Sequence, residues 1–292
     1  MRALARALAA QLGVECAAQP AKVAGKVERL GCYRWQCTGG AVFVKVVPAE
    51  AYAQLEAEAL GLTELAGAGV LRVPRVRAQG VVGADAFLAL EWIEAAEPTA
   101  LSHGKLGERL AALHHVCAER FGWHTDNTIG STPQMNEWSK DWPTFWRERR
   151  LRPQLDLAIR RGWGALLEAP GRRLLELTAS LLDGHCPEAS LLHGDLWAGN
   201  WCADGNGSPV IFDPAVYYGD RETDLAMTRL FGGFGPAFYE SYLSAAPLPA
   251  GHTVRADLYN LYHLLNHASL FGGGYAERAL AVIRRLLAEA HN

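Results

Sequence analysis

Three leucines near the start of the chain recur at helical spacing. Leu4, Leu8 and Leu12 fall at i, i+4 and i+8, and Arg6 interrupts the apolar stretch. One side of an α-helix repeats every 3.6 residues, so the pattern predicts an amphipathic helix and not the apolar core of a secretion signal. No apolar run approaches the roughly 20 residues that a membrane-spanning helix needs, and we expect no membrane contact.

Glycines and strand-forming residues mix between residues 23 and 47. The segment ends in AVFVKVV, in which Phe43 and Lys45 alternate with Val42, Val44 and Val46. This alternation predicts a β-hairpin that carries Lys45 on its second strand. Most strand lysines simply meet solvent, but a lysine that faces a cleft can pair with nucleotide phosphates and with a helix glutamate.

A helix is predicted directly after this hairpin, over residues 49–66. Its buried face is marked by apolar side chains at helical intervals, namely Leu55, Leu62 and Leu65. Glu56 and Glu58 are the two carboxylates that could pair with Lys45. We favour Glu58, because it lies beside Ala59 on the flank of the buried face.

The remaining pattern divides the chain into two lobes. Residues 72–94 read as strands that finish a small sheet, and the periodicity becomes helical from Leu101 onward. We therefore predict an α+β fold in which residues 1–94 form a small antiparallel-sheet lobe with one main helix. Residues 95–292 would form a larger, mostly helical lobe that carries a catalytic hairpin.

Composition narrows the class of protein. Of the 292 residues, 50% are apolar and 20% are charged, and the net charge is only -3. These values are typical of a globular protein with a sizeable core, and they predict no nucleic-acid partner. The cysteines form no CxxC pair and no metal-ligand spacing with histidines, so we expect reduced thiols in a cytoplasmic protein. They are Cys16, Cys32, Cys37, Cys117, Cys186 and Cys202.

The densest cluster of candidate catalytic side chains lies in residues 191–214, which read LLHGDLWAGNWCADGNGSPVIFDP. His193, Asp195 and Asn200 reproduce the spacing of the kinase catalytic loop, H-R-D-x-x-x-x-N. A turn and a short apolar strand follow, and that strand ends in Asp213. Each residue alone has an ordinary interpretation as a turn or cap, but the combination predicts a phosphoryl-transfer site.

The kinase template assigns a role to each of these groups. Asp195 would be the catalytic base at the substrate hydroxyl, and Asn200 with Asp213 would bind Mg²⁺. Lys45 would hold the phosphates of ATP and be oriented by Glu58. The dipeptide at the end of the strand is Asp-Pro where protein kinases have DFG, so control by a flipping phenylalanine is not to be assumed.

Two further segments are candidates for nucleotide binding. The stretch GKVERLG, from Gly25 to Gly31, occupies the place of a phosphate loop, although it lacks the G-x-G-x-x-G pattern and could be an ordinary turn. Glu91, Trp92 and Ile93 fall between the lobes, where adenine would bind against backbone groups.

An unusual block rich in tryptophan and amide side chains spans residues 121–155. Aromatic walls with amide and hydroxyl groups suit a polyhydroxylated ligand, although an aromatic core beneath a long loop fits the pattern equally well. From this block and its surroundings we predict four substrate contacts. They are Asp126, Asn127, Trp197 and His267.

Other polar residues are more easily explained as structural. His114 and His115 lack a third ligand at workable spacing, which favours packing or capping at a helix end over metal binding. Asp220, Arg221 and Asp224 follow the metal-binding segment, and we expect them to anchor the catalytic loop.

The whole pattern resembles the fructosamine/ketosamine 3-kinases, a branch of the fold shared by protein kinases and aminoglycoside phosphotransferases. The resemblance runs almost end to end, through FVKV, LEAEALGL, LALEWIE, DNTIGSTPQMNEWSKDWPTFWRERRL, LLHGDLWAGNW, IFDPAVYYGDRETDLAMTRLFGGF and YNLYHLLNHASLFGGGY. It implies ATP- and Mg²⁺-dependent phosphorylation of the C3 hydroxyl of a ketosamine, formed by glycation of a small amine or a protein lysine. The phosphorylated product would then fall apart, which removes the sugar.

Two alternatives stay open at this stage. The chain could phosphorylate another small hydroxylated molecule, such as an aminoglycoside, choline or a sugar. An aminoglycoside site should carry many acidic residues, and the block offers few, among them Asp126, Glu137 and Asp141. The chain could also be a nucleotide-binding scaffold without activity. We expect a monomer or weak homodimer.

Overall fold

The computed structural model describes residues 1–23 and 31–290. The predicted phosphate-loop residue Gly25 lies outside the described residues. Gly31, the other predicted end of that loop, is the first residue of a strand.

The N-terminal part contains a five-stranded antiparallel sheet. Its strands are β1 (Ala21–Lys22), β2 (Gly31–Cys37), β3 (Gly40–Pro48), β4 (Val76–Val82) and β5 (Asp85–Glu91). Their order across the sheet is β1-β2-β3-β5-β4. The predicted hairpin is therefore formed by β2 and β3, and Lys45 lies on its second strand, opposite Cys32.

A different helix covers each face of this sheet. Helix α1 (Arg2–Leu12) buries Leu8 in a small cluster with Val44 of β3. Because successive strand residues point to opposite faces, Lys45 faces the other side, which is covered by helix α2 (Tyr52–Gly67). The amphipathic pattern at the start of the chain thus closes one face, and the other face is left for the catalytic groups.

The remainder of the described chain is mostly helical, with two short π-helical turns at Trp146–Leu151 and Ile159–Trp163. Its helices are α3 (Ala100–Leu113), α4 (Trp142–Phe145), α5 (Arg152–Ala158), α6 (Gly164–Leu181), α7 (Glu222–Leu230), α8 (Pro236–Ala245), α9 (His252–Phe271) and α10 (Tyr275–Glu289). Helix α9 packs against α5, α7 and α10, and α3 packs against α8. The middle of α9 is buried, as its alternating leucines and aromatic residues predict.

Short strands hold the loops of this helical part in place. They are β6 (Ala95–Ala96), β7 (Cys117–Ala118), β8 (Asn127–Ile129), β9 (Thr132–Gln134), β10 (Ala189–Leu192), β11 (Trp201–Asp204), β12 (Pro209–Ile211) and β13 (Tyr217–Gly219). They form the sheets β13-β10-β7 and β12-β11-β6 and the hairpin β8-β9. The pair β11-β12 is the predicted catalytic hairpin.

One arginine ties the two parts of the chain together. Arg72 donates to Glu91 at the end of β5, at 2.7 Å, and also forms an ion pair with Asp204 at the end of β11. Its carbonyl accepts a hydrogen bond from the backbone of Ile211 at 3.0 Å. The lobe boundary that we predict after residue 94 stays a prediction, and it falls just after this crossing point.

The expectation that all cysteines are reduced is wrong for two of them. Cys16 and Cys37 form a disulfide, with their Cα atoms 4.0 Å apart. The two residues are 21 positions apart in the sequence, and only the folding of the segment after α1 onto the edge of β2 brings them together. Spacing alone could not reveal this pair.

No helix within residues 1–23 and 31–290 combines the length and the apolar character needed to cross a bilayer.

Candidate active site

The catalytic loop follows β10 and leads into β11. Asp195 is half-buried in this loop, and Asn200 is buried behind it. Asn200 donates from Nδ2 to the backbone carbonyl of Asp195 at 2.8 Å, to its carboxylate at 3.1 Å and to the carbonyl of Asp213 at 3.4 Å. The three residues singled out by their spacing therefore meet, with Asn200 between the two aspartates.

His193 supports the loop from within. Its Nδ1 accepts a hydrogen bond from the backbone of Asp195 at 3.2 Å, so Nε2 carries the proton that is donated to the Phe212 carbonyl at 3.0 Å. Burial lowers the pKa of His193, in agreement with this neutral form. The histidine thus fixes the distance between the catalytic loop and the strand that ends in Asp213.

Asp224, in the first turn of α7, anchors the same loop. Its two carboxylate oxygens accept from the backbone nitrogens of His193 and Gly194, both at 2.8 Å, and one also contacts Nε2 of His114 at 3.3 Å. Burial alone would raise the pKa of Asp224, but these hydrogen bonds hold it below its usual value. The anchoring role predicted for Asp224 and the packing role predicted for His114 are both confirmed.

The glycine of HGD is required by a close approach. Gly194 has φ +82°, and a Cβ atom there would collide with the carbonyl oxygen of Ala215. Only glycine combines this conformation with this contact at no steric cost. The backbone of the catalytic loop can therefore pack directly on the segment that follows Asp213.

Lys45 reaches the site from the N-terminal sheet. Its Nζ donates to both oxygens of Glu58 at 2.6 Å and to Oδ1 of Asp213 at 2.7 Å. Burial lowers the pKa of Lys45, but the charges and hydrogen bonds of Asp213 and Glu58 outweigh burial and raise it overall. The pairing with Glu58 and not Glu56 is confirmed, and Lys45 is held as a permanent cation.

Asp213 has an unusual backbone. It is the one non-glycine residue with a positive φ, +56°, in the described chain. Such conformations are rare outside glycine, asparagine and aspartate and persist where the surroundings hold them. Pro214 follows directly, and Gly61 of α2 brings that helix within contact of Pro214 and Val216.

A buried amide network holds the chain just beyond Asp213. Asn127 donates from Nδ2 to the Val216 carbonyl at 2.8 Å, and Gln134 donates from Nε2 to the Ala215 carbonyl at 3.1 Å. Gln134 also donates to Oδ1 of Asn127 at 2.8 Å and accepts from the hydroxyl of Tyr262 at 2.7 Å. The hairpin β8-β9 therefore braces the segment that follows Asp213.

This network corrects one predicted substrate contact. Asn127 is buried and its amide groups are engaged by Val216, Gln134 and Asn136, so the side chain does not face a ligand. Asp126 is exposed, but its Oδ1 accepts from the backbone of Asn136 at 2.7 Å. The amide-rich block serves mainly as a structural core beneath the site, which is the second of the two interpretations that its composition allowed.

The predicted hinge residues lie together at the end of β5. The Glu91 carboxylate accepts a hydrogen bond from Arg72. Trp92 packs on Phe43, and the Arg34 guanidinium carbon lies 5.0 Å from the centroid of the Trp92 ring. Ile93 is half-buried beside them. The contacts of adenine at this hinge stay a prediction.

Trp197 lies in the catalytic loop, and His267 lies on α9. Trp197 is 40% exposed, and its ring lies over the backbone of Gly199. His267 is half-buried on α9, and its Nδ1 contacts the carbonyl of His263 at 2.8 Å. Their roles as substrate contacts stay predictions.

The groups expected to hold Mg²⁺ fit that ion in chemistry. Asp213 offers a carboxylate, and because Nδ2 of Asn200 makes the three contacts given above, its amide oxygen points away from them. Carboxylate and amide oxygens are the hard ligands that Mg²⁺ prefers, and it completes its shell with water and substrate phosphates.

In a second group of possible metal ligands, the side chains already bond other protein groups. His185, Asp220 and Glu222 lie together. Asp220 accepts from the hydroxyl of Tyr259 at 2.6 Å, and Glu222 pairs with Arg255 at 2.7 Å. We interpret this group as a structural network at the start of α7, in line with the anchoring role predicted for Asp220.

A cavity of about 450 Å³ opens elsewhere, between the second half of α2 and the sheet β13-β10-β7. Leu60, Glu64, Leu191 and Tyr218 are among its lining residues. None of the predicted site residues lines it, so the candidate active site is not this cavity.

Sequence reasoning gave no individual role to several residues that shape the site. Gln134, Arg150 and Tyr262 form buried contacts around the hairpin β8-β9, and Arg150 also lies 4.0 Å from the ring centroid of Tyr217. The density of amide side chains in the block was the signal that could have found Gln134. Nothing in the local sequence links Tyr262 to Gln134, because the two residues are 128 positions apart.

Comparison with known proteins agrees with this geometry. The family model described as fructosamine kinase matches residues 1–289. The chain belongs to the fructosamine kinase family. A probable ketoamine kinase of Synechocystis sp. is 46% identical and covers 84% of this chain and 82% of its own length. A chloroplastic protein-ribulosamine 3-kinase of Arabidopsis thaliana is 40% identical over 85% of this chain and 77% of its own length.

Solved structures confirm the predicted fold. A putative fructosamine-3-kinase from Haemophilus somnus superposes with a TM-score of 0.89 at 28% identity, over 98% of this chain and 97% of the other. A spectinomycin phosphotransferase in complex with ADP superposes with a TM-score of 0.57 at 14% identity, over 98% and 93% of the two chains, which shows a shared fold alone. The two-lobed, kinase-like architecture of this family member is therefore established.

Proposed function

We propose that this enzyme transfers the γ-phosphoryl group of ATP to the C3 hydroxyl of ketosamines, the fructosamine or ribulosamine adducts of amines. The observation that carries the proposal is a continuous series of hydrogen bonds. Lys45 bonds both Glu58 and Asp213, and Asn200 bonds both Asp213 and Asp195. Membership of the fructosamine kinase family supports the choice of substrate, as do relatives named ketoamine kinase and protein-ribulosamine 3-kinase.

In this proposal Asp195 acts on the attacking hydroxyl. Asn200 donates to one carboxylate oxygen of Asp195, at 3.1 Å, and thereby fixes the plane of the carboxylate. The carboxylate would accept the proton of the sugar hydroxyl as the bond to phosphorus forms. The backbone of the loop is already held by His193 and Asp224, so this positioning is present before substrate binds.

Lys45 would bind the α- and β-phosphates of ATP. Glu58 holds the ammonium group from the side of α2, which aims it into the cleft. Asn200 and Asp213 would hold Mg²⁺, which neutralises charge on the phosphates. Glu91, Trp92 and Ile93 would place adenine at the hinge, and Gly31 would lie near the phosphates.

The acceptor would lie against Trp197 and His267, with exposed Asp126 as a further contact. An aromatic face beside the base suits the apolar side of a sugar chain, and histidine offers a hydrogen bond to a hydroxyl. We keep a cytoplasmic location and a monomeric or weakly dimeric state as parts of this proposal.

The alternative acceptors are aminoglycosides, choline and simple sugars, because distant structural neighbours with this fold include phosphotransferases for other small molecules. The experiment that separates them measures ATP consumption with Mg²⁺ on fructosyl-lysine, ribulosyl-lysine, kanamycin, choline and free sugars. Turnover confined to the ketosamines, with loss of the sugar adduct, is the expected result. Tight ATP binding without turnover of any ketosamine would refute the proposal.

A further inference from the structure

The cavity of about 450 Å³ lies between the second half of α2 and the sheet β13-β10-β7. Protein interiors are close-packed and leave few voids larger than a water molecule, whereas pockets that hold small molecules usually measure roughly 300–1,000 Å³. By volume this cavity belongs with the ligand pockets. It is separate from the candidate active site, whose residues do not line it.

Most of the cavity wall is apolar. Leu60 from α2, Leu191 from β10 and Val116, which precedes β7, contribute branched side chains, and Ala68 follows the end of α2. Leu60 is 41% exposed, so the protein leaves this part of the helix partly uncovered. A ligand with an apolar body would gain free energy by removing these side chains from water.

The polar part of the wall centres on Glu64. The hydroxyl of Tyr218 donates to its Oε1 at 2.7 Å, and burial together with this hydrogen bond raises the pKa of Tyr218, so the hydroxyl stays protonated. Oε2 of Glu64 accepts no hydrogen bond from the described residues. Among the described residues that line the cavity, Glu64 is the one carboxylate, and only the exposed His124 can become positive.

This carboxylate selects the charge of a ligand. An apolar ligand would remove water from Glu64, which costs free energy unless a positive group takes the place of that water. An ammonium group would form a charge-assisted hydrogen bond with Oε2 and would also be attracted by the Tyr218 ring. An anionic ligand would be repelled.

Both walls of the cavity continue into the candidate active site. On α2, Leu60 lies two residues after Glu58, which bonds Lys45 at 2.6 Å. On the opposite wall, Leu191 lies two residues before His193, where the anchored catalytic loop begins. A ligand that contacts both walls favours the arrangement that it binds, in which α2 presents Glu58 to Lys45.

We infer that this cavity is a binding site for a small organic cation with an apolar body. Its ammonium group pairs with Glu64, and its body fills the space between Leu60 and Leu191. Its binding stabilises the position of α2 that pairs Glu58 with Lys45, and it therefore strengthens the binding of magnesium ATP. The inference goes beyond the proposed transfer reaction, because it concerns a second site whose ligand is not a substrate.

Three indoles of similar shape and different charge test the site. Tryptamine is a cation at neutral pH, tryptophol is neutral and indole-3-acetate is an anion. In calorimetry, tryptamine should bind about tenfold more tightly than tryptophol, as expected for a charge-assisted hydrogen bond, and indole-3-acetate should bind most weakly. Tryptamine and magnesium ATP should each raise the affinity for the other by the same factor, about fivefold.

Two variants remove the two features that the inference requires. Glu64→Gln removes the charge but keeps an oxygen that can accept from Tyr218, and it should abolish the preference for tryptamine over tryptophol. Gly67→Leu fills the cavity, because Gly67 lines it and a Cβ atom at this position meets open space. This variant should weaken the binding of tryptamine and tryptophol alike.

Each variant has a matched control. Glu56→Gln makes the same change of charge at an exposed position on the same helix. Gly274→Leu adds the same side chain just before α10, where a Cβ atom also meets open space. Both controls should keep the wild-type affinities for the three indoles.

Several results would overturn the inference. They are equal binding of the three indoles, no binding of any of them, and a preference for tryptamine that persists in Glu64→Gln. Tryptamine binding that Gly67→Leu leaves unchanged would place the cation elsewhere on the protein. An affinity for magnesium ATP that tryptamine leaves unchanged or lowers would contradict the link to Glu58. None of these measurements needs turnover, so a failure of the proposed kinase activity is detected separately.

Discussion

Gln134 donates a hydrogen bond to the carbonyl oxygen of Ala215, at 3.1 Å, and that carbonyl lies two residues beyond Asp213. The same amide group bonds Asn127, which holds the next carbonyl, that of Val216. A hairpin that makes no contact with the reacting groups thus sets the position of a proposed metal ligand. Gln134 is a positioning residue in this arrangement.

Gln134→Met should weaken the binding of magnesium nucleotide several-fold and lower kcat. The substitution leaves the Ala215 carbonyl without this donor, at a cost of about 1–3 kcal/mol for a buried group left unsatisfied, whereas Oδ1 of Asn127 still accepts from Asn136. Calorimetric binding of ATP with and without Mg²⁺ measures the effect, since only the metal-dependent part of the affinity should fall.

Thr132→Val is the matched control for this experiment. Thr132 anchors the same hairpin through a 2.6 Å hydrogen bond to Asn266 of α9 and touches neither Ala215 nor Val216. It should lower the melting temperature without changing the metal dependence of nucleotide binding. If both variants changed the metal dependence equally, the role of Gln134 would be structural only.

Asp195→Asn should reduce kcat by about two to four orders of magnitude, the usual contribution of a general base. The amide cannot take the hydroxyl proton, but its oxygen can still accept from Asn200, so the loop should keep its shape. Nucleotide affinity should stay near the wild-type value. Turnover assays measure kcat, and calorimetry on the same preparation measures nucleotide affinity. Retained turnover would show that Asp195 is not the base.

Glu58→Gln should weaken ATP binding by roughly tenfold. Lys45 loses a charge-assisted hydrogen bond, worth about 1.5–3 kcal/mol, and its ammonium group is then held by Asp213 from one side only. Glu56→Gln is the control, because Glu56 lies two residues earlier on the same helix and is exposed. Similar losses in both variants would contradict the assigned pair.

Acid should destabilise the fold through His263. Burial lowers the pKa of this histidine from 6.5 to about 3, and its Nδ1 has no hydrogen-bond partner within the described chain. Between these two pH values the unfolded chain binds a proton that the folded chain does not, so stability is present above pH 6.5 and is lost as the pH falls. The expected slope is about 1.4 kcal/mol per pH unit.

His263→Phe should remove that contribution, because phenylalanine fills a similar volume and does not titrate. Urea unfolding of both proteins at several pH values between 4 and 8 gives the two slopes. Parallel slopes would show that His263 is protonated without penalty in the folded protein.

Reduction of the Cys16–Cys37 disulfide should lower the stability of the N-terminal lobe. The bond closes a loop of 21 residues, for which chain entropy predicts about 3 kcal/mol. Thermal unfolding with and without reductant measures the effect, and the double variant Cys16→Ser/Cys37→Ser should be insensitive to reductant. Cys202→Ser, at a half-buried cysteine outside the disulfide, should respond like the wild type.

Local spacing was sufficient to predict the site residues that belong to one hairpin. Asp195, Asn200 and Asp213 lie within a short stretch whose turn and strand leave few alternatives. The pairing of Lys45 with Glu58 was also accessible, because helical periodicity decides which carboxylate flanks the buried face. In each case, one element of secondary structure determines the position of the side chain.

Long-range contacts could not be predicted in this way. An asparagine donates to a sugar or to a backbone carbonyl with the same chemistry, so the composition around Asn127 could not show which partner it has. The contact of Gln134 with Tyr262 and the disulfide between Cys16 and Cys37 depend on how separate elements pack. The sequence holds no local mark of either.

The proline after Asp213 has a consequence for control of the enzyme. In protein kinases, movement of the phenylalanine after the metal-binding aspartate separates active from inactive states. Here Pro214 has no N–H and a fixed φ, Gly61 packs α2 against it, and the next two carbonyls are tied to Asn127 and Gln134. We therefore expect the segment after Asp213 to keep one conformation, so that output follows the supply of substrate and inhibitors that depend on an inverted segment do not bind.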